Sequence, residues 1–258
     1  IEGELRVTPT RSLPGYPGYE FGLSDESFAQ GFQTLPSART DDAGKASLTT
    51  PLPETPVGTR PQMLDVTLRL SDGSGRPVER TQDRAVANRT ALIGAKPLFD
   101  GNLEQGALAR FDVIAVGPDG ARAQLQDVSW TLSRISRDYQ WYRTNGRWQW
   151  EPITRTTRVA DGSLTLEPDI LATVEAAVDW GEYELKLVGL SPEYAATSIR
   201  FNAGWWRGNG STDTPDLLQV GLDKGAYAIG ETARLRMEAR YEGIALIRVM
   251  SNRLIEMQ

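Results

Sequence analysis

Asp138-Tyr139-Gln140-Trp141-Tyr142-Arg143-Thr144-Asn145-Gly146-Arg147-Trp148-Gln149-Trp150-Glu151 is the stretch whose reading decides the fold. Asn145-Gly146 stands midway between two aromatic-rich arms, and both residues tolerate the positive φ that a two-residue hairpin turn demands. That turn sets Thr144 opposite Arg147, Arg143 opposite Trp148 and Trp141 opposite Trp150, so one face carries Tyr139, Trp141, Trp148 and Trp150. A cross-strand aromatic pair adds roughly 0.2–1 kcal/mol over an alanine pair. Arg143 is expected over the Trp148 ring as a cation–π contact. All seven tryptophans fall between Trp130 and Trp206, so the heaviest hydrophobic core is expected in that segment, with the indoles packed inside it.

Outward from the hairpin the chain reads as short alternating strands between turn signals. Leu5, Val7 and Pro9 open an extended run. Leu13-Pro14-Gly15-Tyr16-Pro17-Gly18-Tyr19-Glu20-Phe21-Gly22 breaks regularity and is read as a structured loop. Asp41-Asp42-Ala43-Gly44-Lys45 is a turn, followed by an expected strand through Ala46, Leu48 and Thr50. Leu64, Val66, Leu68 and Leu70 alternate with Asp65, Thr67 and Arg69, giving one buried face, and Asp72-Gly73-Ser74-Gly75 turns the chain into a polar edge strand within Pro77 to Arg89.

Ala91 to Leu98 marks a crossing between domains, after which the pattern restarts with Phe111, Val113 and Ala115 and a turn at Gly117-Pro118-Asp119-Gly120. Val128, Trp130 and Leu132 precede the hairpin. A second tight turn is expected at Asp161-Gly162, and Thr165 to Ala176 reads as strand and loop in spite of a weak helical pattern. Tyr183, Leu185 and Leu187, then Ile199, Phe201 and Ala203, form further strands. Gly204 to Pro215 is a second boundary. Beyond it come strands through Leu218, Val220 and Leu222, through Ala233, Leu235, Met237 and Ala239, and through Ala245, Ile247 and Val249.

A spacing recurs after each boundary. Gly101, Gly106 and Ala109-Arg110-Phe111 reappear as Gly225, Gly230 and Ala233-Arg234-Leu235, a shift of 124 positions for every member (101 to 225, 106 to 230). A fixed period denotes one architectural unit used in series. The expected fold is therefore all-β, a tandem of antiparallel β-sandwiches of immunoglobulin or fibronectin-III type, with a closed barrel as the alternative closure. The expected domains are 1–95, an incomplete sandwich lacking its N-terminal strands, 96–212, a complete one bearing the Trp-rich hairpin, and 213–258, the opening strands of a third.

Composition narrows the chemistry. The 258 residues contain no Cys and no His, which removes thiolate or imidazole nucleophiles, disulfides and His- or Cys-based metal sites. A net charge of −6 with scattered Lys and Arg supplies no clustered basic face for nucleic acid. No apolar run approaches the length of a membrane helix, and the opening Ile-Glu-Gly-Glu-Leu-Arg-Val has neither the basic nor the apolar part of a signal peptide, as expected of an excised piece.

Asp25-Glu26, Asp41-Asp42 and Glu182/Glu184 are the carboxylates close enough in sequence to suggest an acid–base pair or a calcium site, but no spacing matches a known loop and they are read as turn and surface positions. Gly15, Gly18 and Gly22 lack the Lys and helix of a phosphate loop. Asn88-Arg89-Thr90 and Asn209-Gly210-Ser211 fit the glycosylation spacing, and Arg234, Arg236 and Arg240 keep a strand soluble. No catalytic, cofactor-binding or metal-binding residue is expected, and no enzyme activity.

Several motifs in order resemble the bacterial alpha-2-macroglobulins: Leu13-Pro14-Gly15-Tyr16-Pro17-Gly18-Tyr19-Glu20-Phe21-Gly22-Leu23, Ile93-Gly94-Ala95-Lys96-Pro97-Leu98-Phe99-Asp100, Tyr139 to Tyr142 with Gly146-Arg147-Trp148, Trp180-Gly181-Glu182-Tyr183, Ser198-Ile199-Arg200-Phe201 with Gly204-Trp205, and Leu222-Asp223-Lys224 with Tyr227 and Gly230-Glu231-Thr232-Ala233. The resemblance implies macroglobulin-like domains, seven-stranded antiparallel sandwiches, in a protein that traps proteases in the periplasm. From Leu218 it implies the start of the domain associated with the bait region. The Cys–Gln thioester of the family cannot lie here. The implied partners are neighbouring domains of the same polypeptide and, for the whole protein, target proteases, with membrane contact only through a lipid anchor outside this piece. The alternative reading is a tandem immunoglobulin-like surface module that binds glycan through Trp141, Trp148 and Trp150.

Overall fold

The computed structural model describes residues 1–28, 30–55, 57–71, 76–144, 146–190, 193–204, 219–223, 226–238, 243–244, 246–250 and 254–257. Among the described residues sixteen strands follow one another, β1 (Glu2–Pro9), β2 (Glu20–Phe21), β3 (Gly31–Thr34), β4 (Gln62–Leu70), β5 (Val78–Val86), β6 (Leu92–Pro97), β7 (Leu108–Val116), β8 (Leu125–Thr144), β9 (Arg147–Leu166), β10 (Ala172–Ala177), β11 (Gly181–Gly189), β12 (Ala195–Ala203), β13 (Gln219–Leu222), β14 (Leu235–Glu238), β15 (Arg248–Met250) and β16 (Leu254–Met257). None of the described residues is helical, and the fold is all-β.

The chain divides into two compact units, Ile1–Ser136 with Arg155–Ala203, and Arg137–Thr154 with Gly204–Gln258. In the first unit, β3, β1, β4 and β5 form a four-stranded antiparallel sheet. Gly3, Leu5 and Val7 face the same side as Leu68, Val66 and Leu64, as the pleat requires. Leu5 and Val7 are buried, whereas the β4 side chains are only half-buried and Leu70 is exposed. β5 is the polar edge that its composition foretold.

Two further sheets, ordered β10-β7-β6-β2 and β12-β11-β8-β9, hold the main core of this unit. Phe111 and Val113 from β7, Leu132 from β8, Tyr183, Leu185 and Leu187 from β11, and Phe201 from β12 are buried there. Phe111 meets Phe201 at 5.3 Å and Phe99 edge-on at 5.4 Å, and Phe201 stacks on Tyr183 at 5.6 Å. Such ring pairs add about 0.5–1.5 kcal/mol beyond area burial. Ile114, read as an outward position, is also buried, because Phe21, Leu92 and Val116 form a second small core on that face of the sheet.

Two sequence expectations are corrected. Ala46 to Thr50 is irregular rather than a strand. Pro51 and Pro53 follow at once and cannot donate to a ladder. Asp161-Gly162 is no turn but an interior part of β9. Gly162 is needed because the Trp130 indole lies against the backbone, and a Cβ there would come within 2.7 Å of Trp130 Nε1. Within the segment 91–98, Leu92–Pro97 form strand β6 of the second sheet. Asp72 to Gly75, Trp205, Trp206 and Ala245 lie outside the described residues.

Phe111→Ala is expected to lower the unfolding free energy of the chain by about 3–5 kcal/mol, the range for deleting a buried phenyl ring, as read by chemical denaturation.

Candidate functional site

Among the described residues no group of three His, Cys, Asp or Glu is placed to hold a metal. The paired carboxylates go elsewhere. Asp41 Oδ1 accepts from the Ala43 and Lys45 backbone N–H groups, closing its own turn. Glu26 accepts from the Thr59 N–H at 2.9 Å and from the Thr59 hydroxyl at 2.9 Å. Glu184 pairs with Arg200 at 2.9 Å. Each serves structure, and the last two belong to the seam between the first segment and the sheets that follow it.

That seam is built by residues 11–26. The two-residue strand β2 pairs with β6, Glu20 opposite Ala95 and Phe21 opposite Gly94, so the first segment contributes the last strand of the second sheet. Phe21 is fully buried with Leu92, Ile114 and Val116, flanked by Leu13, Tyr16 and Tyr19. Gly94 makes this possible, because a Cβ there would meet the Phe21 ring at 2.6 Å. Gly22, at φ +77, lets the chain turn sharply against Arg60, whose Cα would lie 2.8 Å from an added Cβ.

Polar atoms complete the seam. The buried Thr197 hydroxyl donates to the Ile93 carbonyl and accepts from the Gly22 N–H at 2.9 Å, tying β12, β6 and the loop at one atom. The hydroxyl thus acts as donor and acceptor at once. Ser198 N–H donates to the Gly22 carbonyl at 3.2 Å, and Ser198 Oγ accepts from the Ser24 N–H at 2.9 Å. Arg11 donates to the Ser198 carbonyl at 2.6 Å while pairing with Glu20 at 2.7 Å. Arg60 holds the Leu23 and Ser24 carbonyls at 2.8 Å each. Lys96 Nζ sits 5.9 Å from the Tyr19 ring centroid. The Tyr19 phenol is raised above its ordinary pKa by burial first and by the Asp112 carboxylate second.

The sequence motif 13–22 was legible as a loop, but its role as a strand donor was not. The signal was Phe21 between Glu20 and Gly22, an apolar residue in a polar setting, together with the small Ala195-Ala196-Thr197-Ser198 run that leaves room for a chain to lie across it.

The second feature is the ribbon of β8 and β9. β8 ends at Thr144, β9 begins at Arg147, and Gly146 has φ +77, as the two-residue turn demands, while Asn145 lies outside the described residues. Counting down both arms from Thr144 and Arg147 brings Ser136 opposite Arg155, and Ser136 Oγ lies 3.5 Å from the Arg155 carbonyl. The indoles are not buried: Trp141 and Trp150 are 40% exposed and Trp148 67%. This corrects the expectation that they pack in the core. Among the described residues, β11 pairs with β8 from Ser129 to Ile135, at the inner end of the ribbon. Trp130, lower on β8, does pack against the core. Arg143, expected over Trp148, directs its Nε to the Gly146 carbonyl at 3.4 Å.

Replacing Thr197 by Val leaves the Gly22 N–H and the Ile93 carbonyl buried without that partner and is expected to cost about 1–3 kcal/mol, with faster amide exchange at Gly22. Gly94→Val, which overpacks against Phe21, is expected to cost a further ~1–3 kcal/mol and to open the 11–26 segment to limited proteolysis.

Two family models match the chain, the bacterial alpha-2-macroglobulin MG5 domain over residues 1–87 and bacterial macroglobulin domain 6 over residues 94–205. An alpha-2-macroglobulin of Xylella fastidiosa is 28% identical over 255 residues, 95% of this chain and 15% of its own length. That of Escherichia coli is 27% identical over 267 residues, covering 94% of this chain and 16% of its own. The native conformation of the E. coli protein matches all of this chain and 18% of that one, with TM-score 0.65 and 25% identity. A structure of the E. coli protein activated by porcine elastase matches 86% of this chain and 19% of that one, with TM-score 0.58 and 26% identity. The chain therefore spans less than a fifth of the length of these relatives, and the order of matched domains, the all-β architecture and the seam that joins them make it a stretch of consecutive macroglobulin domains belonging to the bacterial alpha-2-macroglobulin family.

Proposed function

We propose that this chain is non-catalytic scaffold in a protease-trapping macroglobulin of the periplasm, where it holds a protease-sensitive bait segment in place and moves as a body when the bait is cut. The observation that carries the reading is the pairing of β2 with β6, by which the first segment adds a strand to the following sheet, within a chain of matched macroglobulin domains. Proteolytic release of a constraint does mechanical work only if the released parts are stiff. A sheet strand donated across the seam, a buried phenyl ring and a shared hydroxyl make the first segment and the following sheets one compact unit. The partners in this reading are the neighbouring domains and, for the full protein, the captured protease.

Mixed with elastase, the 258-residue chain alone is expected to leave cleavage of both a small peptide and a large protein substrate unchanged; inhibition of the large substrate by the chain alone overturns the reading. In the full-length protein, Gly94→Val is expected to leave bait cleavage intact while the cut protein loses its protection of large substrates. Osmotic-shock fractionation of cells making the full-length protein tests the compartment.

A further inference from the structure

The irregular stretch between β3 and β4 is anchored on both sides of an exposed tip. Leu35 is buried and its N–H donates to the Gly3 carbonyl at 2.8 Å, and the Ala38 N–H donates to the Ile1 carbonyl at 3.0 Å. On the far side of the tip, Gln33 Nε2 donates to the Thr50 hydroxyl at 2.6 Å. Residues 39–47 lie between these anchors, and every one of them is exposed. Exposed tips of small and polar residues are where proteases nick a folded chain.

Two cations stand in the tip, Arg39 and Lys45. Both belong to the class that a trypsin-like protease takes in its acidic specificity pocket, so the side chains do not separate them. The backbones do. An enzyme that receives a peptide as an extended strand bonds to its main-chain N–H and C=O groups. At Lys45 both groups are in use, the N–H donating to Asp41 Oδ1 at 2.8 Å and the carbonyl accepting from the Asp41 N–H at 2.8 Å. The Ala43 N–H donates to the same Oδ1 at 3.0 Å, and the Gly44 N–H donates to the Asp41 carbonyl at 2.9 Å. Gly44, which precedes Lys45, has φ +72, far from the extended region. Asp41 therefore closes 41–45 into a ring. At Arg39 and Thr40, by contrast, no hydrogen bond is made among the described residues, and none of the residues 37–40 has a positive φ.

We propose that the peptide bond between Arg39 and Thr40 is the point at which a protease that cuts after basic residues opens this loop, and that the Asp41 ring shields the bond between Lys45 and Ala46 from the same enzyme. The step is hydrolysis: the Arg39 carbonyl carbon loses the Thr40 nitrogen and gains a water oxygen, leaving a carboxylate on Arg39 and an amine on Thr40. The inference goes beyond the scaffold reading and stands whether or not the full protein traps proteases.

Brief exposure of the 258-residue chain to trypsin, with the new ends identified by mass spectrometry, tests it. The bond after Arg39 is expected to open about tenfold faster than the bond after Lys45, the factor that breaking one or two hydrogen bonds costs when cleavage follows the open population. In Arg39→Gln the loop is expected to stay uncut over the same time. Adding Asp41→Ala to that variant is expected to speed cutting after Lys45 about tenfold by the same reasoning, whereas adding Asp41→Asn, which keeps an acceptor oxygen in place, leaves it slow. In urea, with the chain unfolded, the two bonds of the unsubstituted loop are expected to be cut at similar rates. No cut after Arg39, equal or faster cutting after Lys45 in the folded chain, a preference that persists in urea, no acceleration by Asp41→Ala, or equal acceleration by Asp41→Asn each overturn the proposal.

Discussion

The structure depends on an edge being closed. β6 carries Leu92, Ile93, Gly94 and Ala95, all buried, and an apolar strand left at the margin of a sheet would offer unpaired backbone groups to any other chain. β2 removes that margin with only two residues, Glu20 and Phe21. The pairing succeeds because Gly94 leaves space for the Phe21 ring and because Thr197 ties the loop to β6 and β12. Connectivity then has a mechanical meaning. The segment preceding β6 is part of the sheets that follow it.

Other edges are handled by composition. β5 bears Glu79, Arg80, Gln82, Asp83 and Arg84 toward solvent, with Glu79 paired to Arg69 at 2.7 Å. An exposed pair of this kind contributes little stability, but its charges discourage edge-to-edge association. The β8–β9 ribbon departs from this pattern. Its inner part is covered by β11, whereas its outer part exposes three indoles, a feature of interaction surfaces rather than of chain margins.

Much of the backbone was readable one strand at a time. Alternation in Tyr183-Glu184-Leu185-Lys186-Leu187 places its apolar members inward, as they are found. The spacing of Gly106 before β7 and Gly230 before β14 corresponds to the same positive φ at both, +80 and +88, so that part of the recurring pattern has a conformational basis. Reading failed where the deciding neighbour was distant in sequence. Asp161-Gly162 has the composition of a turn, yet Gly162 is there to accommodate Trp130 from the opposite arm. The family resemblance at 13–23 identified the loop without revealing that it donates a strand.

By itself the amino-acid order determined the all-β class, the places where most strands start and turn, and the exclusion of Cys and His chemistry, because pleat period, turn residues and side-chain inventory are local properties. Only the tertiary structure decided which strand closes which sheet and which aromatic rings are hidden. Burial depends on whether another layer reaches a residue. Phe21 is covered by Leu92 and Ile114 from elsewhere in the chain, while Trp148 lies beyond the last residue that β11 pairs.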